Sequence, residues 1–188
     1  VFSDYFTIER PSGWSWLYPS TGGYHLNSVC FTDANTGTAV GDYGTILRTT
    51  DGGATWVKQW GSTRKKLYGV AFRDANLGLA VGENGLILRT TDGGATWVGK
   101  TSGVRGAYNY FVSVAFADAD TAVAVGTGAG VVFCRSTDGG ETWTSSTTST
   151  YTNPRSVAFF DAKIGAAVAN EGAVYWTKDG GATWKDVT

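Results

Sequence analysis

The sequence predicts an all-β protein assembled from repeated units, and three observations lead to this fold class. The chain has 188 residues and is rich in glycine, with 27 residues, but poor in proline, with 3. Aromatic residues make up 14% of the chain and include 8 tryptophans. Many glycines together with many aromatic residues indicate frequent tight turns and aromatic packing between sheets. The third observation is a unit of about 41 residues that occurs four times along the chain.

An aspartate in an Asp-Gly-Gly turn marks each unit, and successive markers are 41, 46 and 41 residues apart. The third unit has the longest lead-in, which explains the longer step. We divide the chain into an N-terminal segment, residues 1–25, and a repeat domain, residues 26–188, whose units span about 26–66, 67–110, 111–153 and 154–188.

Each unit contains four short runs with strand character, separated by Gly, Asn and Asp turn residues. Four antiparallel strands repeated at a period near 40 residues are typical of the blades of a β-propeller. A single four-stranded sheet cannot bury both of its faces, so neighbouring blades must cover one another. The predicted fold is therefore an all-β β-propeller of four four-stranded blades.

The N-terminal segment predicts one strand more than four blades need. Trp14-Ser15-Trp16-Leu17-Tyr18 resembles the fourth strand of a unit, although the last unit already has its own fourth strand at Thr183-Trp184-Lys185. The surplus strand could close the ring as an overlapping edge, belong to a preceding blade of a longer protein, or pair with an open edge on another copy. These three interpretations remain open at this point.

The most specific motif is [S/T]-x-D-x-G-x-T-W, here called the Asp-box, and it occurs once in each unit. Its carboxylate can accept backbone N–H groups across a hairpin turn, and its glycine permits the turn geometry. Its tryptophan can pack between adjacent sheets. We expect a structural role for Asp51, Gly53, Trp56, Asp92, Gly94, Trp97, Asp138, Gly140, Trp143, Asp179, Gly181 and Trp184.

These four motifs resemble the Asp-box (BNR) repeats of sialidases, sortilin-type receptors and related propellers. The whole unit, S-V-x-F-x-D-A-x-x-G-x-A-V-G-x-x-G-x-I-L-x-T-x-D-G-G-x-T-W, is most similar to the Ycf48/HCF136-like family of photosystem II assembly factors and to bacterial surface proteins that carry this repeat. The resemblance covers about residues 26–188. It implies an Asp-box propeller without a cofactor, in a secreted or cell-surface (extracytoplasmic) location, with an arginine-bearing face as a binding surface.

Composition argues against several classes of protein. There are 15 Lys and Arg residues against 16 Asp and Glu residues, whereas a general nucleic-acid-binding domain is usually clearly basic. No apolar run is long enough for a transmembrane helix, so we expect no membrane insertion. The chain begins at Val1, contains no Met and shows no signal peptide, which predicts a processed product or a piece of a longer protein.

Two cysteines, Cys30 and Cys134, occupy different places in the repeat. They could be buried free thiols, form a disulfide, or leave one thiol exposed.

The sequence offers little for catalysis. His25 is the only histidine and lies in a Gly-rich linker, so we expect neither a catalytic triad nor a zinc cluster. Glutamates are few, and Glu83 and Glu171 occupy equivalent turns rather than forming a converging carboxylate pair. We predict that the protein is not an enzyme and uses no cofactor or metal.

The candidate binding surface consists of cationic and tyrosine side chains. One basic run lies between the first two units, two arginines precede the Asp-boxes, and three tyrosines lie in irregular stretches where recognition residues are common. The candidates are Arg48, Arg89, Arg64, Lys65, Lys66, Tyr108, Tyr110 and Tyr151.

The predicted function is a non-enzymatic, extracytoplasmic propeller that serves as a protein-interaction or structural scaffold. Its expected partner is another protein or a second copy bound through the N-terminal strand. The alternative is a carbohydrate-binding or glycosidase-like (sialidase-type) propeller.

Overall fold

The computed structural model describes residues 24–59, 63–104, 109–150 and 152–188. Within these ranges the chain forms sixteen β-strands in four four-stranded sheets, which we number as blades in chain order. Blade 1 contains β1 (Leu26–Phe31), β2 (Gly37–Gly41), β3 (Ile46–Thr49) and β4 (Val57–Gln59). Blade 2 contains β5 (Leu67–Phe72), β6 (Gly78–Gly82), β7 (Ile87–Thr90) and β8 (Val98–Lys100). Blade 3 contains β9 (Tyr110–Phe116), β10 (Ala122–Thr127), β11 (Val131–Ser136) and β12 (Thr144–Thr147). Blade 4 contains β13 (Pro154–Phe159), β14 (Gly165–Ala169), β15 (Val174–Thr177) and β16 (Lys185–Asp186).

Each blade is an antiparallel meander in which consecutive strands are neighbours. Short 3-10 turns at Asp42–Gly44 and Asn170–Gly172 join the second strand to the third in blades 1 and 4. The predicted all-β architecture of four four-stranded blades is thus confirmed.

The turn between the first and second strands is set by an aspartate. In blade 2, Asp74 Oδ1 accepts the backbone N–H groups of Asn76 and Leu77 at 2.7 and 2.9 Å. These bonds close a local turn that does not depend on the rest of the sheet. In blade 1, Asp33 Oδ1 accepts the corresponding backbone N–H groups of Asn35 and Thr36, so the same turn recurs at the same place in the repeat.

The blades are stacked through two different faces. In blade 2, Val70, Ala80 and Leu88 form a row across the sheet that packs on blade 1, and we call this the rear face. The opposite side, called the forward face, packs on the next blade. In blade 1 it contains Val40 and Ile46, which are both fully buried against blade 2.

The first strands of consecutive blades lie side by side along the inside of this stack. Three buried clusters fill the spaces between blades 1 and 2, blades 2 and 3, and blades 3 and 4. The apolar side chains that the sequence places on alternating strand positions are therefore buried between blades rather than inside any one of them.

The two outermost faces of the stack differ in how far they are covered. On the rear face of blade 1, Ala39 and Leu47 are buried, with 4% and 1% exposure. On the rear face of blade 1, Val29 is 57% exposed, whereas its equivalent in blade 2, Val70, is 8% exposed. On the forward face of blade 4, Val168 is 44% exposed, whereas Val40 at the same position of blade 1 is fully buried. Within the described residues, blade 4 therefore does not cover blade 1 to close a four-bladed ring.

The predicted extra strand at Trp14–Tyr18 lies outside the described residues. Its role as a ring closure, part of a preceding blade or intersubunit strand stays a prediction.

Neither cysteine forms a disulfide. Cys134 is buried in the cluster between blades 2 and 3, and its thiol donates to the backbone oxygen of Ser102 at 3.3 Å. Cys30 is half-buried in blade 1, and blade 2 lies between the two residues.

No helix in the described part of the chain is long and apolar enough to cross a membrane.

Candidate functional site

The Asp-box turn is held by a compact set of hydrogen bonds, which blade 2 illustrates. The hydroxyl of Thr90 donates to Asp92 Oδ1 at 2.7 Å and accepts the backbone N–H of Gly94 at 2.9 Å. Thr96 donates its backbone N–H to Oδ1 of Asp92 at 2.9 Å and its hydroxyl to Oδ2 at 2.5 Å. Both carboxylate oxygens are thus used within one turn.

The same bonds recur in the other three Asp-boxes. Hydroxyl and backbone donors, above all the threonine hydroxyl two residues after the motif glycine, lower the pKa of each carboxyl from 3.8 to about 2. A carboxyl with so low a pKa is ionised at neutral pH and is a poor general acid. This geometry is consistent with a structural role for the Asp-boxes.

The Asp-box tryptophan packs toward the preceding blade. Trp184 of blade 4 stacks on Phe133 of blade 3, with ring centroids 4.3 Å apart and ring planes at 10°. Trp97 and Trp143 are buried in the clusters that join their blades to the preceding ones. Trp56 occupies the same place on the rear face of blade 1, beside Ala39 and Leu47.

Two arginines of the candidate binding surface lie between blades. Arg48 and Arg89 are half-buried, and their Nε atoms donate to backbone oxygens of the following blade, at Gly93 (3.0 Å) and Gly139 (2.9 Å). Sequence reasoning did not anticipate this contact, because a cation beside a turn gives no local indication that it reaches a carbonyl about 45 residues away. Their role in partner binding stays a prediction.

The basic run Arg64–Lys66 begins the lead-in to blade 2. Arg64 and Lys65 are exposed. Lys66 lies 3.4 Å from Asp42, and its interaction with that carboxylate raises the lysine's pKa. Arg64 lines a pocket together with Tyr24 and Tyr43.

Of the three candidate tyrosines, Tyr110 lies in the described part of the chain. Tyr110 is partly exposed, with its ring centroid 5.8 Å from that of Tyr68. Tyr108 and Tyr151 lie outside the described residues.

A pocket of about 500 Å³ opens beside blade 1, and we call it the tyrosine pocket. Two exposed aromatic rings form one side of it, those of Tyr24 and Tyr43, with centroids 4.6 Å apart and planes at 44°. The remaining lining is polar and basic. The pocket is lined by Tyr24, Tyr43, Gly44, Lys58, Gln59, Thr63 and Arg64.

Tyr43 has an unusual backbone conformation. Its φ of 56° and ψ of 31° lie in the left-handed region, and its side chain is 61% exposed. The equivalent turns of blades 2 and 4 have the same conformation at Asn84 and Glu171, with φ of 57° and 60°. The turn therefore requires positive φ, which asparagine tolerates much better than a bulky aromatic residue. A strained, exposed tyrosine is a reason to look for a function of its side chain.

The sequence analysis identified Arg64 but missed Tyr24, Tyr43 and Lys58. Tyr43 lies in one of the short turns between predicted strands. The available signal was the aromatic residue itself, at a turn position that holds Asn84 and Glu171 in two other units.

Across the described ranges, no three His, Cys, Asp or Glu side chains come together as a potential metal site. His25 is exposed, and its backbone oxygen accepts the N–H of Asp42 at 2.9 Å.

A family model described as photosynthesis system II assembly factor YCF48 matches residues 59–188. No curated protein sequence matches the chain significantly. Among solved structures, YCF48 bound to D1 peptide is 24% identical with a TM-score of 0.67, over 87% of this chain and 53% of that chain. The chain thus spans about half the length of that relative.

Two glycoside hydrolase structures are also similar in fold. The GH74 enzyme of Niastella koreensis is 20% identical with a TM-score of 0.70, over 87% of this chain and 30% of the enzyme. The GH74 xyloglucanase of Xanthomonas campestris is 17% identical with a TM-score of 0.65, over 89% of this chain and 31% of the enzyme. Together with the four blades, these similarities confirm the predicted β-propeller fold.

Proposed function

Because the chain belongs to the family of the photosystem II assembly factor YCF48, we propose that it is a non-enzymatic, extracytoplasmic propeller that binds another protein. The YCF48 relative was solved with a D1 peptide, which makes peptide binding a reasonable expectation for this chain. The observation that carries the proposal is the tyrosine pocket, which combines exposed aromatic rings with positive charge.

The composition of the pocket suits a protein ligand. Tyrosine and arginine are enriched among the residues that contribute most to binding energy at protein interfaces. A tyrosine ring offers apolar area at a low cost in conformational entropy, and its hydroxyl can exchange hydrogen bonds. The volume of about 500 Å³ lies within the usual range for ligand pockets and can receive a few side chains.

The charge of the pocket specifies the ligand further. Lys58 and Arg64 both line it, and the lining contains no acidic side chain among the described residues. A guanidinium can bind a carboxylate in a bidentate manner. We therefore expect the ligand to be a peptide segment that places an acidic or carboxy-terminal group near Arg64 and an apolar side chain against the tyrosine rings.

Fluorescence anisotropy with labelled peptides tests this proposal. Short peptides that contain acidic residues next to apolar residues are compared with versions in which lysine replaces each acidic residue. We expect the acidic set to bind and the reversed set to bind at least about tenfold more weakly, which corresponds to about 1.4 kcal/mol.

Two substitutions connect binding to the pocket. Tyr43→Asn introduces the residue type that blade 2 has at the equivalent turn position, Asn84, where φ is nearly the same. The fold should therefore be kept while one tyrosine ring is removed. Arg64→Ala removes the exposed guanidinium. Each should weaken acidic-peptide binding about tenfold, whereas Lys163→Ala, an exposed cation of blade 4, should not. Unchanged affinity in both pocket variants would show that peptides bind elsewhere, and absence of binding to the unmodified chain would contradict the proposal itself.

Carbohydrate binding is the alternative, since paired exposed tyrosines can also stack on sugar rings. A glycan screen distinguishes the two functions. A sub-millimolar glycan that no longer binds Tyr43→Asn, together with no peptide binding, would favour the alternative.

The extracytoplasmic location is supported by the resemblance to bacterial surface proteins with the same repeat. Fractionation of the source cells with an antibody to this chain tests it, and recovery only from the cytoplasmic fraction would contradict it.

A further inference from the structure

The junction of blades 1 and 2 contains a buried carboxylate with two side-chain partners. Asp42 directly follows the second strand of blade 1 and is 8% exposed. Its Oδ2 lies 3.4 Å from Nζ of Lys66, which directly precedes the first strand of blade 2. Its Oδ1 accepts a hydrogen bond of 3.3 Å from the side-chain amide of Asn27, in the first strand of its own blade. The negative charge at this junction is therefore balanced within the chain.

Glu83 is the equivalent of Asp42 at the junction of blades 2 and 3. Each donates its backbone N–H to the residue just before the first strand of its own blade, which is His25 for Asp42 and Lys66 for Glu83. Oε2 of Glu83 accepts the backbone N–H of Lys66 at 3.0 Å, whereas the ammonium of that lysine pairs with Asp42. Within the described ranges, no lysine or arginine forms an ion pair with Glu83. This junction thus keeps the carboxylate but lacks the cation.

Tyrosines lie where the first junction has its two donors. Tyr110 directly precedes the residue of blade 3 that corresponds in register to the first strand residue of blade 2, so it occupies the place of Lys66. Tyr68 is the second residue of β5, as Asn27 is of β1. The ring centroids of Tyr68 and Tyr110 are 5.8 Å apart, with planes at 54°. An isolated antiparallel bridge joins Glu83 to Tyr110, so the carboxylate and both rings belong to one site.

The chemistry of this site suits a cation. Burial raises the pKa of Tyr68, and the negative charge of Glu83 raises it further, because both disfavour the phenolate. The field of the carboxylate therefore reaches the tyrosine hydroxyl. An ammonium or guanidinium group is attracted both by a carboxylate and by the face of an aromatic ring. Tyr110 is 36% exposed and Tyr68 is half-buried, so a group from outside the chain can reach them.

The junction of blades 3 and 4 is neutral at the same positions. Thr127 follows the second strand glycine of blade 3 as Glu83 does in blade 2. Asn153 precedes β13 as Lys66 precedes β5. Neither Thr127 nor Asn153 carries a charge. Among the three junctions that the structure describes, the carboxylate without a cation is thus specific to blades 2 and 3.

We propose that Glu83, Tyr68 and Tyr110 bind a lysine or arginine side chain of the protein partner. The cation of the partner takes the role at this junction that Lys66 has at the junction of blades 1 and 2. The carboxylate supplies the charge, and the two tyrosine rings cover the aliphatic part of the incoming side chain.

This inference rests on the proposed function and specifies the ligand further. The cation site and the tyrosine pocket lie at the same end of the blades, because each includes the turn after a second strand and the start of the next blade. They are one blade apart. Packed sheets are about 10 Å apart and an extended chain rises about 3.3 Å per residue, so about three residues cover one step. The ligand is therefore a segment with an acidic group and, about three residues away, a lysine or arginine.

Fluorescence anisotropy with paired peptides tests the cation site. In one peptide of each pair a lysine is placed about two to five positions from the acidic residue. The other peptide has norleucine there, which keeps an apolar stem without the ammonium. We expect the best lysine peptide to bind about fivefold more tightly than its norleucine partner.

Two substitutions connect this preference to the site. Glu83→Gln removes the charge but keeps an oxygen for the backbone N–H of Lys66. It should abolish the preference for lysine and leave the affinity for the norleucine peptide unchanged. Tyr110→Lys introduces the residue type of blade 2 at this place, and its ammonium can pair with Glu83, so the preference should again disappear. Glu171→Gln, which neutralises an exposed carboxylate of blade 4, is the matched control and should keep the fivefold difference. Circular dichroism verifies the fold of each variant.

The outcomes separate this inference from the proposed function. Acidic peptides that bind without any preference for lysine would overturn the cation site and leave the peptide proposal intact. A preference that persists in Glu83→Gln would also overturn the cation site, since the cation would then bind elsewhere. Absence of binding by every peptide would overturn both.

Discussion

Nε of Arg89 in blade 2 donates a hydrogen bond of 2.9 Å to the backbone oxygen of Gly139 in blade 3. Arg48 and Arg135 make the corresponding bonds from blade 1 to blade 2 and from blade 3 to blade 4, at 3.0 and 2.8 Å. Blades 1, 2 and 3 thus each donate to the next blade through an arginine at the same position. The bonds join residues 45 or 50 positions apart and supplement the apolar packing between blades.

Arg89→Lys tests the contribution of this contact. A lysine ammonium cannot reproduce the planar guanidinium, and the buried oxygen of Gly139 would lose its donor. We expect the free energy of unfolding to fall by about 1–2 kcal/mol in urea titrations. Arg155→Lys is the control, because Arg155 is exposed and bonds to Asn170 within its own blade. Equal stability of the two variants would contradict an important role for the interblade bond.

Stability should decrease in acid because of the four Asp-box carboxylates. Their pKa is about 2 in the folded chain and has the ordinary aspartate value of 3.8 in the unfolded chain. Because folding lowers the pKa, the stabilisation is complete above the unfolded value and is lost as the pH falls from about 4 to about 2. Thermal unfolding followed between about pH 6 and 2 should show a midpoint that falls across this window. A constant midpoint across the window would be inconsistent with the bonds described here.

Asp92→Asn isolates one Asp-box. The amide retains one oxygen for Thr90 but replaces Oδ2, which accepts the hydroxyl of Thr96, by a donor. We expect a loss of about 1 kcal/mol, reduced by the solvent exposure of the turn, together with a weaker dependence of stability on acid. Glu171→Gln, at an exposed turn in blade 4, serves as the control. A variant that keeps full stability but loses metal or ligand binding would instead assign the carboxylate a binding role.

The two thiols should differ in reactivity. Burial raises the pKa of Cys134 to about 12, so little thiolate forms at neutral pH, whereas Cys30 is half-buried. Titration with Ellman's reagent should detect one fast-reacting thiol in the native chain and two in guanidinium chloride. In Cys30→Ser the fast phase should disappear. Two fast-reacting native thiols would show that the core of blade 3 opens readily.

The elements that sequence reasoning predicted well are those fixed by local chemistry. Asp-box hydrogen bonds join residues two to four positions apart, and Asp74 closes its turn with residues two and three positions later. The strands follow from these turns and from alternating apolar residues, so four four-stranded blades could be read from the repeat.

Features that depend on distant residues were harder to predict. The sequence shows Arg48 as a cation beside a turn, but its partner is a carbonyl 45 positions further on. Identical units also suggest identical environments, yet Val29 and Val70 differ sevenfold in exposure because, among the four described blades, one packs against Val70 and none packs against Val29. The tyrosine pocket was missed for a similar reason, since Tyr24 and Tyr43 are separated in sequence and meet only after blade 1 has formed.

The arginine bonds between blades bear on how a protein of repeated blades gains or loses a blade in evolution. Residues 46–57 and 87–98 have the same twelve-residue sequence, which contains both the donating arginine and the accepting glycine. A duplicated unit therefore brings its own donor for the next unit and its own acceptor for the previous one. Blade 4 has Trp176 at the position of the arginine. Insertion or loss of one of the first three units by recombination therefore leaves every remaining junction with its arginine donor, so blade number can change in a single genetic event without compensating substitutions.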